Sequence, residues 1–317
     1  MFRKNSDAYH WAGSCPEFAS AAYISEDIHA TLSPLVDVIA PLSVDIVLEG
    51  ETGTGKDRLA RRIHQLSGCS GPLVAVNCAA IPESLAESEL FGVVSGAYTG
   101  ASRSRAGYVE SADKGILFLD EIDSMPLMLQ AKMLRVLENR GVERLGSTLF
   151  KPLDMRVIVA TQTPLNQLVD KGLFRRDLYF RLDTVKIQLP TLRSRTDLIV
   201  PMFQRFCNEA AQRLKVSPPA VTTHLYERLL AHAWPGNIRE LKAAAERWVL
   251  GLSPLASVAE PAHQPLQLKD RMRRIEKFLI QDAMRRHGHC IDRVVTELGI
   301  PKRTLYHRLK VLNVSAR

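Results

Sequence analysis

The chain of 317 residues is 46% hydrophobic and 24% charged, ordinary globular values that exclude whole-chain disorder, a collagen repeat or a coiled-coil array. Its length suits about two domains, no apolar run approaches the roughly 18 residues of a membrane span, and the opening MFRKNSDAYHWAG lacks a signal-peptide core. The net charge of +8 sits wholly in residues 264–317, with 13 Lys and Arg against 5 Asp and Glu, leaving 29 of each sign in residues 1–263.

Residues 1–22 show no strong period and read as a short arm, too short for a receiver or ligand-sensing domain. From 23 to 39 apolar residues recur at near-helical spacing (Ile24, Ile28, Leu32, Leu35, Ile39). Short apolar runs follow at 44–50, 73–77, 115–121, 155–161 and 185–189, separated by helical stretches such as 56–66 and 128–138. Fully apolar strands alternating with helices predict an α/β unit with a parallel sheet covered on both faces, over 23–190. Residues 191–250 read as helical, and 251–265, rich in Pro, Ala and Ser, as a linker. Cys15, Cys69, Cys78, Cys207 and Cys290 are odd in number without a CxxC. That argues against a disulfide framework or zinc site and fits a reducing, cytoplasmic setting.

Gly50-Glu51-Thr52-Gly53-Thr54-Gly55-Lys56-Asp57 fits GxxxxGK between a strand and a helix, the context such a phosphate loop requires. Its glycines let backbone N–H groups curl around phosphate oxygens, the helix N-terminus adds its dipole, and Lys56 brings a point charge. Asp57 stands where most such loops have Ser or Thr; a carboxylate there either reaches the metal through water or serves another purpose. About 60 residues on, Leu117-Phe118-Leu119-Asp120-Glu121 ends an apolar strand in two acids: Asp120 to hold Mg²⁺ and Glu121 to polarise the attacking water. The pair predicts nucleotide hydrolysis rather than binding alone.

Gly96-Ala97-Tyr98-Thr99-Gly100-Ala101 resembles the GAFTGA loop of sigma-54-dependent transcriptional activators, a clade of AAA+ ATPases. NCAAIPE (77–83), ELFG (89–92), LDEID (119–123), RVLENRGVERLG (135–146), FRRDLYFRL (174–182) and WPGNIREL (234–241) extend the likeness over 43–250, about two-thirds of the chain. Its narrower likeness is to the HrpR/HrpS group, activators of type III secretion genes. The resemblance implies a AAA+ P-loop core with a helical lid, and a segment 96–101 that contacts sigma-54 and moves with nucleotide state, Tyr98 replacing the usual Phe. It implies that Asn77 is a switch holding Glu121 from its water. Arg175 and Arg181 would reach the γ-phosphate of the neighbouring subunit, with Arg176 an additional charge. Thr161 would be the first sensor, followed by Gln162 where Asn is common, and Arg239 the lid sensor. The working form would be a ring, commonly a hexamer, of one subunit type or mixed with a related activator.

In 266–317, Ile291, Val294, Val295 and Leu298 keep helical spacing, Gly299 breaks it, and Ile300, Leu305, Leu309 and Leu312 resume it, the helix-turn-helix plan. Pro301 suits a helix start. Lys302, Arg303, Thr304, His307 and Arg308 would meet double-stranded DNA, and the pattern resembles Fis-type modules. An upstream stripe, Leu268, Met272, Ile275 and Leu279, suits a dimerising helix. The expected function is an activator that binds upstream DNA and remodels sigma-54 RNA polymerase from closed to open complex. Control would fall to expression level, a related subunit or an inhibitor protein in trans. Another AAA+ DNA-remodelling ATPase, or a non-hydrolysing repressor using the core to oligomerise, are the alternatives.

Overall fold

The computed structural model describes residues 30–98, 103–217, 219, 221–255 and 290–312, with parts of 272–288. The arm at 1–22, the first turns of the helix expected from 23, Thr99, Gly100 and Ala101, residues 256–265 of the linker, and Leu268 and Ile275 of the stripe lie outside the described residues.

Five strands, β1 (Ile46–Glu49), β2 (Leu73–Asn77), β3 (Ile116–Asp120), β6 (Arg156–Thr161) and β7 (Val185–Gln188), form one parallel sheet in the order β2-β3-β6-β1-β7. The sequence produces this directly, because alternate residues of the central strands serve opposite layers. Val47, Leu117, Leu119, Val157 and Val159 enter one core with α3 (Glu83–Phe91), α5 (Leu127–Asn139) and α7 (Arg176–Leu182). Ile46, Leu48, Ile116, Phe118, Ile158 and Ala160 enter a second core with α1 (Ser33–Ile39) and α2 (Lys56–Ser67). A strand with helices on both faces needs apolar side chains at both parities.

The site's position follows from the strand order. β1 lies between β6 and β7, so its C-terminal end opens beside those of β6 and β3, where chain connections diverge and ligands of such sheets bind. Arg156, only 7% exposed, fixes the opposite end of the sheet. Its guanidinium donates to the carbonyls of Val44 (2.5 Å), Ala40 (2.8 Å) and Ile39 (3.1 Å), taking up acceptors at the end of α1.

One antiparallel pair was not expected: β4 (Gly141–Glu143) with β5 (Phe150–Pro152). Three residues a side are too few to show a period of two. The stretch expected as helical, 191–250, holds a 3-10 turn (Leu192–Ser194) and the α-helices α8 (Thr196–Leu214), α9 (Thr223–Ala231) and α10 (Asn237–Val249). They share a core around Phe203 and the fully buried Trp234, whose indole N–H donates to the Leu229 carbonyl at 2.9 Å. At the basic end α11 (Ile291–Leu298) and α12 (Lys302–Val311) meet across Gly299, which takes a left-handed φ of 63° as a helix C-cap. Val294, Leu305 and Leu309 pack there with Ile280, Ala283 and Met284 of the preceding segment.

Candidate nucleotide-binding site and its surroundings

The phosphate loop leaves β1 and enters α2 with Gly53 at φ 75° and Gly55 at φ 91°, left-handed values suited to glycine. Thr54, fully buried, donates its hydroxyl to the Glu51 carbonyl at 2.8 Å. Lys56 Nζ donates to the carbonyls of Gly50 (2.7 Å) and Glu51 (3.2 Å), across the mouth of the loop. Burial lowers the pKa of this ammonium, against the opposing pull of Asp120, Asp123 and Glu121. Asp57 lies in the first turn of α2, where its carboxylate takes the Arg61 guanidinium at 3.1 Å.

Asp120 and Glu121 end β3 beside the loop. Burial raises the Asp120 carboxyl, offset in part by the Glu121 N–H (3.0 Å) and by Lys56. Burial likewise raises Asp123, whose Oδ1 is buried with no hydrogen-bond partner. An acidic group facing an ammonium, with one buried carboxylate oxygen unsatisfied, fits a divalent cation bound together with phosphate. Among the described residues no cluster of three or more His, Cys, Asp or Glu has metal-binding geometry. One or two carboxylates suffice for magnesium whose other ligands are phosphate and water.

Glu121 sits at φ 53°, a left-handed conformation uncommon outside glycine. Its Oε1 accepts from Gln162 Nε2 at 3.4 Å, and Gln162 Oε1 accepts from the Thr52 hydroxyl at 2.7 Å. Gln162, following the buried Thr161, thus bridges the phosphate loop and Glu121; Thr161 itself donates to the Thr163 carbonyl at 2.7 Å. The expected contact of Asn77 with Glu121 is not made here. Asn77 pairs in register with Asp120, and its amide oxygen caps the turn after β2 by accepting from the N–H groups of Ala79 (2.9 Å) and Ala80 (3.1 Å).

The lid sits on the loop through residues that the sequence placed only within a motif. Asn237 is fully buried at φ 48°. Its Oδ1 accepts from Leu192 N (2.8 Å), while its Nδ2 donates to the Thr52 carbonyl (3.0 Å) and to Glu51 Oε2 (3.1 Å). Arg193 pairs with Glu51 Oε1. Ile238 N donates to the Gly53 carbonyl at 3.0 Å, and a Cβ on Gly53 would stand 2.3 Å from the Gly236 carbonyl oxygen and 3.1 Å from Arg239 Cβ. Glu51, expected as a plain member of the phosphate loop, therefore turns its side chain to the lid, and Arg239 follows directly in the same turn. The Trp-Pro-Gly-Asn string carried the signal, since Pro, Gly and Asn mark a turn; the positive φ falls on Trp234 (52°) and Asn237 (48°), with Gly236 at −88°.

Arg175 and Arg181 are placed differently from one another. Arg175 projects at the surface, paired with Asp177 at 2.7 Å and flanked by Arg176, which lies over the exposed Phe180 ring at 5.7 Å. Arg181 points inward, to the Leu137 carbonyl (3.0 Å) and the buried carboxylate of Asp45 (3.3 Å), which also takes Arg140 (2.9 Å) and the Val157 N–H (3.0 Å). Of the expected pair, Arg175 projects with Arg176 beside it, whereas Arg181 is turned to Asp45 and the Leu137 carbonyl.

The loop holding Gly96, Ala97 and Tyr98 rises from a stem in which Val93 and Arg105 exchange backbone hydrogen bonds at 2.9 and 2.8 Å. Val94 N donates to the Leu145 carbonyl at 3.0 Å, tying the stem to the β4–β5 hairpin, and Tyr98 is exposed. Glu110, in the short helix α4 (Tyr108–Ser111), locks this junction: its buried carboxylate takes Arg144 twice (2.8 and 2.7 Å) and Lys151 once (2.6 Å). Arg144 first, then Lys151, hold its pKa down to about 2. In the basic module α12 buries Leu305 and Leu309 and exposes Arg303, Tyr306 and His307, with Thr304 half-buried. Lys302 pairs with Asp292 (2.8 Å) and Arg308 with Glu276 (3.0 Å), so these two cations also hold the module together.

Comparison with known proteins agrees with this layout. The Sigma-54 interaction domain matches residues 24–188, the AAA+ ATPase lid domain 193–274 and the bacterial regulatory protein Fis family 271–312. The pathogenicity locus probable regulatory protein WtsA of Pantoea stewartii subsp. stewartii is 64% identical over 291 residues, 92% of this chain and 90% of that protein. The pathogenicity locus probable regulatory protein HrpS of Pseudomonas syringae pv. syringae is 55% identical over 294 residues, 91% and 97% of the two chains. Among solved structures, NtrX from Brucella abortus in complex with ADP superposes with a TM-score of 0.67 at 31% identity, over 90% of this chain and 68% of that one.

Proposed function

The chain belongs to the Sigma-54 interaction domain family, as a sigma-54-dependent transcriptional activator of the Hrp regulator type, and from that premise we propose that it hydrolyses ATP in a ring to open sigma-54 promoters of type III secretion genes. The observation that carries the reading is one cluster at the ends of β1, β3 and β6: a glycine-rich loop, the Lys56 ammonium, and the Asp120–Glu121 pair. The loop's backbone and Lys56 bind the phosphates, Lys56 exchanging its two carbonyl partners for phosphate oxygens. Asp120 would hold Mg²⁺, which supplies charge neutralisation at the β- and γ-phosphate oxygens. Glu121 accepts the proton of the attacking water, and its left-handed backbone and Gln162 set where that carboxylate points. Asn77, whose amide oxygen here caps the turn after β2, becomes its partner in another nucleotide state.

Arg175, together with Arg176, faces a neighbouring subunit's γ-phosphate, where a planar cation stabilises transferring charge. Hydrolysis then requires assembly into a ring, read as a hexamer, homomeric or mixed with a related activator. Residues 96–101 contact sigma-54; their stem, fixed by Glu110 to the hairpin, transmits the state of the site to the loop. The helix-turn-helix binds upstream double-stranded DNA through Arg303, Thr304 and His307, with Lys302 and Arg308 at its edges. Regulation falls to expression, to a related subunit or to an inhibitor in trans. The test is Glu121→Gln: DNA binding is retained while ATP turnover and promoter activation are lost. Unchanged activation by this variant refutes the reading.

A further inference from the structure

Three side chains join the phosphate loop to the lid, and the hydrolysis reading gives them no task. Glu51 carries a negative charge within a loop whose ligand is a polyphosphate, an unfavourable choice if the loop only wraps an anion. Its two oxygens are spent elsewhere: Oε1 on Arg193, at the entry to the lid, and Oε2 on Asn237 Nδ2, in the first residue of α10, at 3.1 Å. Asn237 is fully buried and uses both ends of its amide, accepting from Leu192 N at 2.8 Å and donating to the Thr52 carbonyl at 3.0 Å. Beneath it the Ile238 N–H meets the Gly53 carbonyl at 3.0 Å. The loop's shape and the seat of the lid are therefore held by the same few hydrogen bonds, and neither can change alone.

We propose that Glu51 is a positioning residue: its carboxylate clasps Arg193 and Asn237, so that filling the phosphate loop with a nucleoside di- or triphosphate fixes the helical lid. The proposal rests on the reading of the loop as a nucleotide site. A carboxylate accepting from a guanidinium and an amide makes charge-assisted bonds stronger than neutral ones. Without it the buried Asn237 amide keeps only its backbone partners, the clasped fraction of the protein falls, and apparent nucleotide affinity falls by the same factor. Repulsion between Glu51 and phosphate would act in the opposite direction, which lets one titration separate the two.

The experiment titrates the full chain with a fluorescent ADP analogue, and measures kcat and KM for ATP. Glu51→Ala weakens ADP about tenfold and raises KM more than it lowers kcat. Glu51→Gln, which keeps an acceptor for Asn237 and disturbs the fold least, weakens ADP by about threefold. The double variant Glu51→Ala/Arg193→Ala is no weaker than Glu51→Ala alone, because both act through one clasp. Amide exchange at Leu192 and Ile238 slows with ADP in the unaltered chain and does not in Glu51→Ala at saturating ADP. ADP binding by Glu51→Ala within twofold of the unaltered chain, or tighter, overturns the proposal, as does additive weakening in the double variant. An unaltered chain that fails to bind the ADP analogue overturns the nucleotide reading itself, and the clasp with it.

Discussion

Replacing Glu110 with Gln removes one charge from the junction between the stem of the 96–101 loop and the β4–β5 hairpin. Its carboxylate is buried and takes three donors from Arg144 and Lys151. A carboxyl that stays ionised down to about pH 2 rather than its ordinary 4.5 corresponds to roughly 3 kcal/mol of preference for the charged form at 1.36 kcal/mol per pH unit. Arg144 and Lys151 are themselves a third to a half exposed, so solvent screening brings the share felt as stability to about 1–2 kcal/mol. The sign follows from the depressed value: the folded state holds its proton more weakly than the unfolded chain, so the contribution is complete above pH 4.5 and fades as pH falls toward 2. Urea unfolding of both proteins from pH 7 to pH 3 reads this directly. The gap between them is about 1–2 kcal/mol at pH 7 and narrows below pH 4.5. A gap independent of pH refutes the electrostatic account and leaves packing as the cause. Because the junction fixes the loop stem, the variant also activates transcription less per ATP hydrolysed at pH 7.

Other consequences are as direct. Gly53→Ala forces a Cβ to 2.3 Å from the Gly236 carbonyl at φ 75°, so the variant melts earlier and loses ADP binding, checked by calorimetry with and without ADP. Phe118→Ala empties a central position of the sheet's second core and costs about 3–5 kcal/mol in chemical denaturation. Arg303→Ala weakens DNA binding across sequences and lowers the slope of log affinity against log salt by about one; an unchanged slope places Arg303 off the phosphates.

The sheet was legible because its central strands β1, β3 and β6 are apolar at both parities and two of them lead into chemically marked residues, Lys56 after one and Asp120 and Glu121 after another. The helix-turn-helix was legible through Gly299 and its flanking leucines. Side-chain directions were not. Glu51 belongs by spacing to a phosphate loop, yet its partners Arg193 and Asn237 stand 142 and 186 residues away. Arg181 reads as a projecting cation until Asp45, 136 residues earlier, is brought beneath it. Asn77 adopts the local option its residue type favours, a cap on its own turn. Gln162, set apart in the sequence only by departing from the usual Asn, is the side chain that reaches Glu121. Such contacts are fixed by tertiary placement, and neither periodicity nor motif spacing encodes them.

In the function proposed above, hydrolysis at this site is delivered to sigma-54 through residues 96–101. Permanganate reactivity of a sigma-54 promoter, with purified holoenzyme, this protein and ATP, tests it most directly alongside Thr99→Ala. Single-stranded thymines are expected with the unaltered protein, and a closed promoter with Thr99→Ala although that variant still turns over ATP. Opening by Thr99→Ala at the unaltered rate, or opening without ATP, contradicts it.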